Sequence, residues 1–170
     1  MTLFGFFTAV CGKRQAVCGL VLLLPCLLLV CSWPDTSVPI EELLEAPTSL
    51  DRGGRSLVLY ASLARDYMPV DPPGGLMLYV KVWCADSLPT NTDLTTDLAW
   101  AIDRPARAVW ETAVDTGGAW NPHGFLRAAA EAEGPKWEVG RLCDVVVRLT
   151  DSEGNVWLLR APDVEIEKVW

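Results

Sequence analysis

The sequence predicts a mainly β protein, an antiparallel β-sandwich with one short inserted helix, preceded by an N-terminal hydrophobic helix. Three observations carry this. The run Leu76–Cys84 (LMLYVKVWC) alternates, with Leu76, Leu78, Val80, Val82 and Cys84 on one face and Met77, Tyr79, Lys81 and Trp83 on the other. Two further β runs, Leu142–Thr150 (LCDVVVRLT) and 156–161 (VWLLRA), flank the turn sequence Asp151-Ser-Glu-Gly-Asn155, the pattern of a hairpin. Gly- and Pro-rich turns punctuate the chain between these runs, as in folds built from many short strands.

In order along the chain, the first element is apolar. Residues 16–33 (AVCGLVLLLPCLLLVCSW) carry no charge, and Lys13 and Arg14 precede them. A basic flank before an apolar core directs a chain to a membrane, so residues 1–32 read as a signal peptide or a membrane or lipid anchor. Pro25 shortens the uninterrupted apolar core, as in a cleaved signal. The total length just reaches what an uncleaved anchor needs, about 17–25 residues. Leu28-Leu29-Val30-Cys31 resembles the bacterial lipoprotein signal, with Val30 standing where that family has Gly, Ala or Ser. The resemblance implies lipidation at Cys31. All three readings place the body outside the cytosol, secreted or membrane-anchored, in the periplasm or at the cell exterior.

A proline-marked spacer follows at 33–55, with Pro34, Pro39 and Pro47. Within it Ile40-Glu-Glu-Leu-Leu-Glu-Ala46 fits one or two helical turns, opened at Pro39 and stopped by Pro47. The body, 56–170, then reads as one domain of strands. Residues 56–63 (SLVLYASL), Leu76–Cys84, 94–102 (LTTDLAWAI) and 107–114 (RAVWETAV) supply the first four. The alanine-rich run 125–133 (FLRAAAEAE) predicts the inserted helix, ended by Gly134-Pro135. The hairpin comes next, with Val147 and Leu149 as the inward members of its first strand. A separate alternating strand at 164–169 (VEIEKV) reads as a charged edge. The spacing of strands and turns resembles an immunoglobulin-like sandwich, although the Cys…Trp…Cys signature of that family is absent.

The cysteines divide into four in the head and two in the body, Cys84 and Cys143, each in a strand. An exported chain meets oxidant, so the body pair predicts a disulfide between the two sheets. No spacing of His and Cys fits a metal site, and no cofactor motif is present. The turn at 151–155 gathers carboxylates but lacks the length and the closing Glu of a calcium loop.

The chain has 22 acids against 14 bases, a net charge of −8, and the head contributes two of the bases and no acid. That balance, without a basic patch interleaved with aromatics, excludes a nucleic-acid binder. The eight tryptophans are the more informative feature, because exposed indoles give contact area at low entropic cost. Trp120 sits in a turn between Gly117-Gly118 and Pro122, and Trp137 follows the predicted helix. His123, the only histidine, lies in the same turn as Trp120. Trp120, His123 and Trp137 are therefore the candidate binding residues.

The function expected from this pattern is a non-enzymatic exported or envelope-associated protein that binds another protein or serves an assembly. Two alternatives remain open. One is a small secreted hydrolase using His123 with nearby groups such as Ser62 or Ser87 and Asp115. The other is a glycan binder with an exposed aromatic platform.

Overall fold

The computed structural model describes residues 38–67, 74–86, 93–115 and 124–170. They form one short helix, α1 (Ile40–Glu45), and eight strands: β1 (Ser49–Arg52), β2 (Arg55–Asp66), β3 (Leu76–Cys84), β4 (Thr95–Asp103), β5 (Ala108–Asp115), β6 (Phe125–Ala130), β7 (Leu142–Thr150) and β8 (Val156–Val169). The strand order is β1-β2-β3-β6-β5-β4-β7-β8, and β8 also pairs with β2. That last pairing joins the two ends of the sheet. The fold is a closed seven-stranded barrel, with β1 as a short hairpin arm on β2, and not the open sandwich expected from the sequence.

Closure depends on β8. Residues 156–165 pair antiparallel with β7, and the end of the strand pairs parallel with β2, Leu63 opposite Ile166 and Arg65 opposite Lys168. Within the ladder to β7, Cys143 faces Val164 and Val145 faces Ala161. Pro162 and Asp163 thus oppose the single residue Asp144, which is a β-bulge. Asp163 adopts φ 54°, and its N–H donates to Asp144 Oδ1 at 3.1 Å. Pairing with β7 resumes beyond the bulge at Val164 and Glu165, and β8 meets β2 from Ile166. The run at 164–169, expected as a separate edge strand, is the continuation of β8 and the closing strand of the barrel.

The expected helix at 125–133 is a strand. Phe125–Ala130 pairs with β3 from Trp83–Phe125 to Tyr79–Ala129, and with β5 at Val114–Ala130 and Asp115–Ala129. Alanine favours a helix by only a few tenths of a kcal/mol per residue over most alternatives. Here two neighbouring strands offer backbone partners, and alternation puts Leu126 and Ala128 in the core. Tertiary pairing outweighs propensity. The hairpin expectation holds: β7 and β8 are antiparallel across 151–155, and Val147 and Leu149 are fully buried.

The barrel interior is filled by alternate residues of every strand. Small side chains recur there, among them Ala61, Ala99, Ala101, Ala128 and Ala161, as a narrow barrel requires. Cys84 and Cys143 both point into this interior, buried and as free thiols. The expected disulfide is therefore absent, and topology gives the reason. β3 and β7 are three strand spacings apart by the shorter way round the wall. At about 4.8 Å per spacing that puts their backbones well beyond the roughly 7 Å a disulfide spans. Burial, with Asp103 nearby, pushes the Cys143 thiol up to about 11, so it stays protonated and inert.

One mouth of the barrel is covered by the segment between β6 and β7. Gly134 exchanges two backbone hydrogen bonds with Leu76, and Gly140 donates to the carbonyl of Ile166. Gly134 lies so close beneath Trp110 that a Cβ there would come within 2.7 Å of its ring. Trp137, at the middle of this segment, packs half-buried on the core.

A second apolar cluster lies outside the barrel. Leu43 and Ala46 of the helical segment cover Trp100, Ile102 and Val146 on the outer face of β4 and β7. A six-residue helix is too short to hold itself together in water, so its packing sustains it. Glu41 and Glu42 favour its N-terminal turn, Glu41 pairs with Arg107, and Arg160 donates from N and Nε to the carbonyls of Pro47 and Ala46. The proline-marked segment thus lies against the barrel from Val38 onward.

The head at 1–32, with Cys31, lies outside the described residues. Among the described residues no helix is long and apolar enough to cross a membrane. Membrane anchoring, and the secreted or membrane-anchored location built on it, are corrected accordingly: they rested on composition, and no described element bears them out.

Leu43 is wholly buried between the helix and the barrel wall. Leu43→Ala is expected to lower stability to urea by about 2–4 kcal/mol, whereas Glu42→Ala, on the open side of α1, is expected to stay within about 0.5 kcal/mol. An equal effect of both substitutions would show that α1 does not clamp the wall.

Candidate functional site: the open outer face of β2, β3 and β6

Inward alternation dictates what points outward. On β2, β3 and β6 the pairings set out three cross-strand rows: Val58–Trp83–Phe125, Tyr60–Lys81–Arg127 and Ser62–Tyr79–Ala129. Met77 follows beside Ala64. Nothing described covers this face in the way α1 covers β4 and β7. Tyr60 is 55% exposed, Met77 41% and Tyr79 37%.

The two cations of the middle row are held by rings. Lys81 Nζ lies 4.1 Å from the Phe125 centroid and 4.7 Å from that of Trp83. Arg127 Cζ lies 4.4 Å from the Phe125 centroid. Such contacts stabilise by about 0.5–1 kcal/mol each at exposed sites. Neither cation meets a carboxylate among the described residues. This separates them from the other outer arginines: Arg52, Arg104, Arg107, Arg141, Arg148 and Arg160 each pair with an acid. In so acidic a chain, two cations on an aromatic face with no acid partner among the described residues are a local reversal of charge.

Three shallow grooves adjoin on this side. The first, about 370 Å³, lies where β2 leaves β1 and has not yet met β8, between Tyr60 and Ser62 on one side and Pro162 and Glu165 on the other. The second, about 450 Å³, runs past Ser62, Met77 and Tyr79 to Glu133. The third, about 570 Å³, runs from Tyr79 past Arg127 to Asp115 and Glu131. Tyr60 flanks the first groove, and Tyr79 stands between the second and the third.

The residues singled out by sequence fall elsewhere. Trp120 and His123 lie outside the described residues, as does Ser87. Trp137 closes a barrel mouth and is not on this face. Ser62 and Asp115 border different grooves. Trp100 is buried under α1, its Nε1 donating to Glu111 at 2.7 Å, and Trp157 stacks beneath Arg52. The face that emerges is built instead from Tyr60, Met77, Tyr79, Lys81, Phe125 and Arg127. Its signal was present in the alternation of Leu76–Cys84, but two apolar faces on one strand read equally as a strand covered on both sides.

The carboxylates at the β7–β8 turn are used within it. Asp151 accepts from the N–H groups of Glu153 and Asn155, from Asn155 Nδ2 and from Arg52. Arg52 also pairs with Asp93 at 3.0 Å, which in turn accepts from Ser152. A guanidinium thus stands where a cation would have to enter, and the oxygens of Asp151 are already satisfied. Among the described residues no group of three or more His, Cys, Asp or Glu is arranged to hold a metal.

Fold and face together define a small closed barrel with one helix-covered side and one open aromatic side. Comparison with family models, with curated proteins and with solved structures gives no match.

The hydrogen bonds from Asn155, joined by Arg52 and the Glu153 amide, hold the Asp151 carboxyl down to about 2. A depressed carboxylate contributes stability above its unfolded value, near 4, and loses it as pH falls toward the folded value. Stability is therefore expected to fall between about pH 4 and pH 2, and Asp151→Asn is expected to flatten that acid limb. Acid titration of urea midpoints for both proteins checks this; parallel curves would contradict it.

Proposed function

We propose that this protein is a non-catalytic binding module that docks another protein on the outer face of β2, β3 and β6. The observation that carries the reading is the composition of that face at the exposure it has. Tyr, Trp, Phe, Met and Arg are the residues enriched at the centres of protein interfaces, and Lys, Asp and Glu are depleted there, so that Lys81 alone of the central side chains departs from the pattern. Tyr60, Met77, Tyr79, Trp83, Phe125 and Arg127 share this one face, with Asp115 and Glu167 on the strands that border it. The Trp83 and Phe125 rings are held by the stacked cations, so they lose little side-chain freedom on binding.

Lys81 and Arg127 set the partner's chemistry at the centre: a carboxylate or a row of carbonyls facing them, with apolar groups over Tyr79 and Met77. A nucleic acid is disfavoured, because two cations cannot offset a net charge of −8 against a phosphate chain. The catalytic alternative has no support among the described residues, where Ser62 and Asp115 stand apart.

The test is site-specific photo-crosslinking in the native host. A photoreactive side chain at Tyr79 of the full chain is expected to give discrete adducts with one protein. The same group at Val109, 42% exposed on the outer face of β5, is expected to give none of that species. With that partner purified, Tyr79→Ala is expected to weaken binding by about 10- to 30-fold, while thermal stability changes little because the ring is already part-exposed. Adducts equal at both positions, or saturable binding of an oligosaccharide at the face with no protein adduct, would replace this reading.

A further inference from the structure

A second feature lies at the plugged mouth of the barrel, away from the open face. Arg65 points inward at the end of β2 and is only 8% exposed. Its Nη1 donates to the carbonyl of Trp137 at 3.1 Å, and its Nε has no partner. Beside it, in register on β8 and on the same face of the sheet, is Lys168. Both cations gather on one ring: Arg65 Cζ lies 5.1 Å from the Tyr67 centroid and Lys168 Nζ 4.6 Å from it. Lys168 Nζ also lies 3.5 Å from the ring of Trp170, which is tilted against Tyr67 at 6.4 Å.

Two like charges on adjacent strands repel, and a buried guanidinium without a counter-charge is costly. Neither cation has an ion-pair partner among the described residues. The backbone carbonyl and the two rings offset part of that cost and supply no negative charge. Arg65 is rooted under the plug, whereas Lys168 and Trp170 are exposed, so the pair is reached from solvent along the Lys168 side.

We propose that this mouth is a binding site for an oxyanion carried on a planar body, the oxyanion lying between Arg65 and Lys168 and the body stacking on Tyr67 or Trp170. The two cations supply charge-assisted hydrogen bonds to carboxylate or phosphate oxygens. The rings supply the flat apolar rim that selects a conjugated body over a bare ion. The site is independent of the open face of β2, β3 and β6.

The experiment titrates the full-length protein with phenyl phosphate, benzoate and inorganic phosphate at constant ionic strength, read by calorimetry and by the Trp170 indole resonance. Phenyl phosphate or benzoate is expected to saturate and to raise the melting temperature, and inorganic phosphate to bind more weakly than phenyl phosphate. Which of the two aryl ligands binds tighter assigns the oxyanion as phosphate or carboxylate. Lys168→Gln is expected to weaken binding about tenfold, the effect of losing one charge-assisted contact, and Lys168→Arg to restore it. Because Arg65 also holds the plug, Arg65→Gln is judged only beside the Lys168 pair. No saturation by about 10 mM, or equal affinity in Lys168→Gln and the parent, overturns the site. Inorganic phosphate binding as tightly as phenyl phosphate overturns the planar body.

Discussion

The bulge at Pro162-Asp163 lies within the ladder to β7, just ahead of the segment of β8 that pairs with β2 and closes the barrel. Its stability rests on Asp144, fully buried on the outer side of β7. One oxygen of Asp144 accepts the Asp163 N–H, and the carboxylate is neutralised by Arg160 at 3.1 Å and Arg104 at 3.6 Å. Arg104 also pairs with Asp163 itself. A buried carboxylate is tolerable only with such partners, and removing one of them strands the other charges. Arg160 then reaches the carbonyls at the end of the α1 segment. One ionic network thus holds the bulge of the closing strand and ties down the helix that covers the same wall.

The two sides of the barrel differ as a consequence. The helix-covered wall is dry on both faces: Val145 and Val147 lie in the interior cluster, while Val146 lies in the outer cluster under α1. The opposite wall has only its inner face buried. Its outer rows combine aromatic rings with cations that no acid among the described residues neutralises, whereas acids elsewhere form structural pairs. Such an asymmetry fits a molecule with one side given to stability and one side left for contact. The stacked Lys81 and Arg127 keep the open side hydrated while its rings remain available.

The plugged mouth shows the same economy of charge from the other direction. Asp103, fully buried near that end, is matched by Arg141. Arg65, nearly as buried, has only a carbonyl and a ring. Among the described residues the acid at this mouth has its base, and the base has no acid.

By itself the sequence determined what depends on neighbours within a few positions. Alternation fixed the faces of β3 and β7, and the Asp151–Asn155 turn fixed the β7–β8 hairpin and its register, because a one-residue slip would expose Val147 and Leu149. Pro39 and Pro47 bounded α1. Only the tertiary structure decided what depends on distant partners. The alanine-rich run became β6 because β3 and β5 left a place between them, and the charged run at 164–169 closed the barrel because β2 offers it a parallel partner. Cys84 and Cys143 stayed apart because closure sets their strands on opposing walls. The open face of Tyr60, Tyr79 and Arg127 escaped the sequence for the same reason. A strand's pattern states which residues share a side, while what covers that side is set by whichever segment packs there, and here α1 packs on the other wall.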